Sequence, residues 1–380
     1  MSDAEPTVAV LLAGGVGSRL YPASRPSRPK QFCAFGGERT LLRRTADRVD
    51  FADAVYAVTR ERYADRVADA VPEATVLTDP GLDTGLALAV ATRAVAEREA
   101  GDPVVCALPT DHHVAGPFAR TVGRAVGVAR STDGLVCLGV VPDGPATGFG
   151  YVEPARPVAP PEPADGDGAP GEVRQSGACQ HARVERFVEK PDAATARSLV
   201  DAGCLWNAGV FVWRPAAFER AAADTALGPL VDALADGDPE RGFAAVDPVS
   251  VDRAVMERTE EAHVVPAAFE WDDLGTWDAV GRHLADADCE GDGANSTLGD
   301  ATALDASGNV LATDGETHVG VVGADELVVA AYGDRVLVVP RDESERVRDL
   351  VAALDSGTGD VAAGGPIGDE PSDGDGEGTA

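Results

Sequence analysis

The chemistry written into this chain starts where an apolar run, residues 8–13, breaks into Gly14-Gly15-Val16-Gly17-Ser18-Arg19-Leu20. Glycines after a strand let the backbone approach a phosphate with its N–H groups facing it. Leu12 and Ala13 lead into this loop, and Arg19 and the later Lys30 add cationic donors. Three glycines also make an ordinary tight turn, and that reading stays open on the loop alone. Two other phosphate motifs are excluded: no GK[ST] follows four spacer residues, and GxGxxG fails because position 20 is Leu20.

Further along, Pro109-Thr110-Asp111-His112-His113 follows a hydrophobic run. A carboxylate at a strand end beside a phosphate loop suits Mg²⁺, although a turn-forming or helix-capping aspartate reads the same way. The adjacent histidines have no third ligand in view. Arg186-Phe187-Val188-Glu189-Lys190-Pro191 places a lysine before a proline, which disfavours helix there. That lysine could meet an anion or form a plain surface ion pair. Trp206-Asn207-Ala208-Gly209 and Trp271-Asp272-Asp273-Leu274-Gly275-Thr276-Trp277 combine aromatic rings with amide and carboxylate groups. Such sets stack on and hydrogen-bond a sugar, or the tryptophans simply fill the core. Asp273 is a second candidate Mg²⁺ carboxylate.

Composition narrows the classes. The chain has 380 residues, 64 acidic against 32 basic, and a formal charge of -32. That surface repels nucleic acid and anionic lipid. No apolar run approaches the ~20 residues of a membrane span. The N-terminus lacks the basic start and apolar stretch of a signal peptide, and the six cysteines are scattered without a CxxC pair. These features point to a cytoplasmic protein with reduced thiols. Only Lys30 and Lys190 are lysines; every other basic residue is arginine. Excess carboxylate with few lysines is a haloarchaeal-like, halophilic composition, and a high-GC codon bias gives the same lysine loss. A chain that has shed nearly all its lysines keeps two where a compact ammonium is expected to be needed.

The elements that must position these residues alternate. Strands are expected at 8–13, 53–59, 104–108, 134–141 and 183–188, and helices at 40–49, 85–100, 118–129 and 240–262. That order predicts an α/β fold, a doubly wound mostly parallel sheet covered by helices, with ligands beyond the carboxyl ends of the strands. Residues 154–182 are rich in Pro, Gly and Asp and read as a surface insertion. From about 295 the pattern turns to short β segments, followed by a helix near 343–354. Residues 356–380 form a low-complexity acidic tail expected to be disordered. The expected domains are 1–285 and 290–355.

Taken in order, these motifs resemble the sugar-nucleotide pyrophosphorylases, a nucleotidyltransferase family. The likeness is to the mannose-1-phosphate guanylyltransferases in particular. The family's LAGGxGxRLxPxSRxxxPKQF stands here as Leu12 to Leu20, Pro22, Ser24, Arg25 and Pro29-Lys30-Gln31-Phe32. Its PSDH appears as Pro109-Thr110-Asp111-His112, and TGYGYI as Thr147-Gly148-Phe149-Gly150-Tyr151-Val152. FVEKP is intact at Phe187–Pro191, and WNSGxF is close to Trp206–Phe211. SIDYAVMEK and WSDVGSWDAL match from Ser250 and Trp271. The likeness spans roughly residues 8–340. It departs at Asp79 to Ala87, where the family's Arg-Asn pair is missing, and at Tyr21, which replaces a tryptophan.

The resemblance implies a Rossmann-like nucleotide-diphospho-sugar transferase domain followed by a small left-handed β-helix-like domain, often used for homo-oligomer formation. It implies transfer of GMP from GTP to mannose 1-phosphate, giving GDP-mannose and pyrophosphate. The chain would bind the nucleotide through Leu12, Ala13, Gly14, Gly15, Gly17, Ser18, Arg19, Lys30 and Asp111. It would bind the sugar phosphate through Gly148, Glu189, Lys190 and Asn207, and Mg²⁺ through Asp111 and Asp273. The charged groups Arg19, Lys30, Asp111, Lys190 and Asp273 would carry catalysis, with no general base needed. No phosphomannose isomerase activity is expected. Transfer to another sugar 1-phosphate, such as glucose 1-phosphate with UTP or dTTP, is an alternative. So is a catalytically silent regulatory homologue.

Overall fold

The computed structural model describes residues 5–81, 83–159, 180–288 and 295–356. The first stretch holds the expected strands and helices and adds three elements, α2, β3 and β5, that were not expected: β1 (Thr7–Leu12), α1 (Leu41–Arg48), β2 (Ala54–Arg60), α2 (Ala64–Ala70), β3 (Thr75–Asp79), α3 (Thr84–Arg98), β4 (Val104–Pro109), β5 (His113–Ala115), α4 (Phe118–Thr132) and β6 (Leu135–Val140). Local chemistry sets the starts. Thr40 caps α1 by accepting the Arg43 N–H at 3.2 Å, and Asp83 caps α3 by accepting the Thr84 N–H at 2.7 Å. The apolar runs of β1, β4 and β6 are buried almost throughout, which is the pattern of strands covered on both faces.

The second stretch runs β7 (Gly150–Pro154), β8 (Ala182–Glu189), α5 (Ala193–Asp201), β9 (Leu205–Trp213), α6 (Pro215–Ala223), α7 (Gly228–Ala235), α8 (Pro239–Ala245), β10 (Ala262–Pro266), β11 (Glu270–Asp272) and α9 (Trp277–Asp288). Among the described residues the main sheet has nine strands, ordered β3-β2-β1-β4-β9-β6-β10-β8-β7. The β3-β2-β1-β4 ladder and the β6–β10 pair are parallel. β9 runs antiparallel between β4 and β6, and β8 and β7 continue antiparallel at the far edge. One core layer packs α3, α6 and α7 on one face; the other packs α1, α2 and α4 on the opposite face.

The helix expected over 240–262 is largely absent. α8 ends at Ala245, residues 246–250 carry no regular secondary structure, and only a short π-type turn, Asp252–Met256, follows. Pro248 lacks an N–H and bars helix at Asp247. The break turns Asp252 toward the carboxyl ends of the strands. The Pro/Gly/Asp-rich insertion joins β7 to β8, and its residues 160–179 lie outside the described residues, as do residues 357–380 of the acidic tail.

The C-terminal part stacks short strands at β-helix spacing: β12 (Ser296–Leu298), β13 (Ala301–Leu304), β14 (Val310–Thr313), β15 (Val319–Val322), β16 (Leu327–Tyr332) and β17 (Arg335–Pro340), before α10 (Val347–Ser356). β12, β14 and β16 pair in parallel with Ser296, Val310 and Val328 in register, and β13 pairs in parallel with β15. This unit is not a separate bead. Val310, Val328, Tyr332 and Val347 share one buried cluster with Leu20, Phe35, Leu274 and Trp277. Gly281 of α9 permits that closeness, since a Cβ there would lie 2.4 Å from Val310. Among the described residues no helix is long and apolar enough to cross a membrane.

The charge of -32 sets one expectation about this fold. Carboxylates repel across ~30 Å at 0.01 M salt but only ~3 Å at 1 M. The melting temperature should therefore rise as KCl is raised from about 0.1 to about 3 M. A flat or falling series would mean that the acidic composition is no salt adaptation.

Candidate active site

The loop after β1 is held from behind. The Leu12 carbonyl accepts the Thr110 hydroxyl at 2.8 Å, and the Ala13 carbonyl accepts both the Gln31 amide and the Thr59 hydroxyl at 2.8 Å. The Val16 carbonyl accepts the Lys30 N–H at 3.0 Å. The carbonyl edge is thus turned into the protein. Gly14 and Gly15 line a cavity of about 530 Å³, and a Cβ on either would touch nothing within 4 Å. Gly17 differs: its φ is +77°, and a Cβ there would stand 2.6 Å from the Cβ of Lys30. Only here does the loop demand glycine on steric grounds.

Three adjoining cavities share walls. The first is lined by the glycine loop with Arg60, Asp79, Asp83, Thr110 and Asp111. A second, of about 220 Å³, is lined by Gly148, Phe149, Glu189, Lys190, Asn207 and Asp252, among others. A third, of about 310 Å³, holds Gly17, Ser18, Arg19, Lys30 and Gly275. Asp111 borders the first and third, and His112 and Asp273 border the second and third. The candidate residues therefore ring one three-lobed cleft whose junction is made of carboxylates. Ala13 alone among them is walled off, its side chain buried beneath the loop.

Lys30 is the pivot. It is 4% exposed, and its Nζ donates to the Asp273 carbonyl at 2.5 Å and pairs with Asp111 Oδ2 at 3.1 Å. Burial pushes the Asp111 carboxyl up, but Lys30 and then His112 outweigh it and leave it below the usual range. Trp271 donates its indole N–H to His112 Nδ1 at 3.1 Å, which puts the remaining ring proton on Nε2, 3.8 Å from Asp111 Oδ1. Burial lowers the His112 pKa, against the opposing pull of Asp111 beside it. The Asp273 carboxylate accepts the Gly275 N–H at 2.8 Å, in a loop where Leu274 has φ of +47°. Arg19 pairs with Glu345 at 3.0 Å.

In the second lobe Lys190 sits in the left-handed region, φ +50°, between β8 and Pro191, and its half-exposed ammonium pairs with Glu189. A non-glycine residue held there is strained, as residues at binding sites often are. Asn207 donates to Asp252 Oδ1 at 2.9 Å and accepts the Gly209 N–H at 3.0 Å. Phe149, Trp206 and Trp271 form one aromatic wall, with Phe149 ring centroids 4.9 and 5.0 Å from the two indoles. Trp277 is core, fully buried and bonded to the Tyr21 carbonyl at 2.9 Å.

Reading the sequence by motif left out Arg60, Asp79, Asp83, Phe149, Asp252 and Arg348 as cleft residues. Asp252 had a signal, its place in Ser250-Val251-Asp252. Phe149 stands in the Thr147–Val152 motif, and Asp79 and Asp83 in the stretch that departs from the family, whereas Arg60 and Arg348 carry no motif signal.

Asp252 gives a pH test. Burial first, and the neighbouring Glu189 second, push its carboxyl up to about 7. Unfolded, it titrates near 3.9. Between those values the folded chain holds the extra proton, so this group's contribution to stability falls as pH rises from about 4 to about 7 and is constant above. Asp252→Asn keeps an oxygen for Asn207 and has no such titration. The variant should gain on the wild type between about pH 5 and about pH 8, by up to ~1.4 kcal/mol per unit. Melting curves at both values check this; an unchanged gap would contradict it.

A glycine loop after the first parallel strand, facing a junction of two carboxylates and a buried lysine, belongs to a nucleotide-binding α/β enzyme rather than to a binding module. The chain belongs to the nucleotidyl transferase family: residues 8–288 match that family, and residues 299–354 match the MannoseP isomerase/GMP-like beta-helix domain. Xanthan biosynthesis protein XanB of Xanthomonas campestris is 34% identical over 94% of this chain and 74% of its own length. A mannose-1-phosphate guanylyltransferase of Escherichia coli is 31% identical over 91% of this chain and 73% of its own. A solved structure described as a mannose-1-phosphate geranyltransferase from Thermus thermophilus superposes with a TM-score of 0.79. It is 30% identical and covers 92% of this chain and 99% of that one.

Proposed function

We propose that this chain transfers GMP from GTP to mannose 1-phosphate, releasing pyrophosphate and forming GDP-mannose. The observation that carries the reading is the junction of the three lobes at Asp111 and Asp273, which Lys30 of the third lobe ties together. A nucleotide in the first lobe, its polyphosphate end in the third and a sugar phosphate in the second would meet there. The relatives named above support mannose 1-phosphate and GTP as the pair. Free, buried Cys33, Cys106, Cys137 and Cys204 support a reducing, cytoplasmic setting.

In this reading an oxygen of the sugar phosphate attacks the α-phosphorus of GTP, a new P–O bond forms, and the α–β bridging bond breaks with pyrophosphate leaving. The nucleophile is already ionised, so positioning and charge neutralisation are the chain's task. Gly14, Gly15 and Gly17 offer N–H groups to the phosphates. Arg19 and Lys30 offset the charge on the departing pyrophosphate. Lys190 draws in the sugar phosphate, and Glu189, Asn207 and Gly148 face the sugar hydroxyls. Asp111 and Asp273 fit Mg²⁺: two hard oxygen donors at the rim of a polar lobe, with phosphates and water to complete the shell. Bound there, Mg²⁺ would supply charge neutralisation across both reactants. Residues 1–285 would form the transferase domain and residues 290–355 its support.

The test measures pyrophosphate release and product mass across GTP, ATP, UTP and dTTP, each with mannose 1-phosphate and glucose 1-phosphate. GTP with mannose 1-phosphate should give the highest kcat/KM. Faster turnover of another pair would overturn the substrate assignment, and no turnover with any pair would overturn the enzyme reading.

A further inference from the structure

The polyphosphate lobe is built by both domains. Alongside Gly17, Ser18, Arg19 and Lys30, its wall includes Arg348, the second residue of α10 in the C-terminal part. This placement is structural, not incidental. Val347 is buried in the same cluster as Leu20, so α10 is seated on the turn that carries Ser18 and Arg19. Just before the helix, Glu345 pairs with Arg19 at 3.0 Å. Arg341 ties the same segment to α9, bonding Asp278 at 2.7 and 3.0 Å and the Gly308 carbonyl at 3.0 Å.

The chemistry at Arg348 fits an anion. Its guanidinium is largely exposed, and its acidic neighbour Asp349 is 3.8 Å away with 68% of its own side chain in solvent. A pair that long and that wet holds the arginine weakly. Lys30 is committed to Asp111 and Arg19 to Glu345. Arg348 is thus the cation of this lobe least engaged by protein carboxylates, and its planar fork suits two phosphate oxygens at once.

We propose that Arg348 is a pyrophosphate-binding residue supplied by the C-terminal domain to the active site. The β-helix-like unit then does more than support the transferase domain: it completes the subsite for the β- and γ-phosphates of the nucleotide and for the pyrophosphate that leaves. This rests on the reading of the third lobe as the polyphosphate site.

The experiment uses the full chain and two variants, Arg348→Gln and Arg348→Lys. Inorganic pyrophosphate with Mg²⁺ is titrated calorimetrically into the resting protein, and steady-state KM values for GTP and mannose 1-phosphate are measured at the same salt. One charge-assisted contact at an exposed site predicts a roughly tenfold rise in pyrophosphate Kd and in KM for GTP for Arg348→Gln. KM for mannose 1-phosphate and the melting temperature should be unchanged. Arg348→Lys, keeping charge but not the fork, should fall between. If Arg348→Gln binds pyrophosphate as the wild type does, the inference is overturned while the transferase reading stands. If the wild type itself turns over no substrate pair, the transferase reading fails first. If the wild type fails to bind pyrophosphate, the lobe assignment and this inference fall together.

Discussion

Lys30→Arg is expected to lower kcat/KM about 10²-fold or more although the charge is kept, because a misplacement of about 1 Å at a reacting centre has that effect. Lys30 Nζ sits between the Asp273 carbonyl and the Asp111 carboxylate, and its stem passes beneath Gly17, where even a methyl group would collide. A guanidinium is wider and flat and cannot donate to both oxygens from the same point. Overpacking a site this closed adds about 1–3 kcal/mol of strain, so the melting temperature should fall as well. Lys190→Arg provides the contrast. Its ammonium is half exposed at the mouth of the second lobe, where a larger head has room to turn. Its loss should be smaller and fall mainly on KM for the sugar phosphate. Steady-state kinetics and melting curves of both variants check the pair of expectations; a Lys30→Arg enzyme within about threefold of the wild type would refute the first.

The two junction carboxylates should fail in different ways. Asp111→Asn and Asp273→Asn each remove an anionic oxygen donor from the proposed Mg²⁺ site, whose charge stabilisation is worth several kcal/mol, so turnover should fall by about 10³-fold. Asp111→Asn also strips a nearly buried lysine of its counter-charge. Breaking a buried pair is strongly destabilising, at about 3–5 kcal/mol, and the partial exposure of Asp111 places this case toward the lower end. Asp273→Asn should leave stability intact. An asparagine oxygen can still accept the Gly275 N–H, and Lys30 is held by the backbone carbonyl of residue 273, which the substitution does not touch. Turnover against Mg²⁺ concentration, alongside thermal melts, separates the two. Normal activity of either variant at limiting Mg²⁺ would remove that residue from the ligand set.

The sequence by itself determined the ordered series of motifs, the strands β1, β2, β4 and β6 with the helices α1, α3 and α4 between them, though not α2, β3 or β5, and the change to short β segments after about residue 295. These features are local: a buried parallel strand needs a continuous apolar run such as that of β4, and a phosphate loop needs glycines within a few residues. Composition also set the acidic surface and singled out Lys30 and Lys190. What only the tertiary structure decided is the geometry that gives those residues different tasks. Lys30 lies 243 positions from Asp273 in the chain, yet its ammonium bonds that residue's carbonyl, so its burial could not be read from its neighbours. Asp252 lies where a long helix was expected, and its raised pKa comes from burial and from Glu189, far earlier in the chain. β9 enters antiparallel between β4 and β6 because long-range pairing, not local propensity, chooses a strand's neighbours. Arg348 carried no signal at all: an exposed arginine on a short helix becomes part of the cleft only because Val347 and Leu20 are buried together. Sequence pattern reports what each segment can bury, and the contacts between segments decide which polar groups are left facing one another.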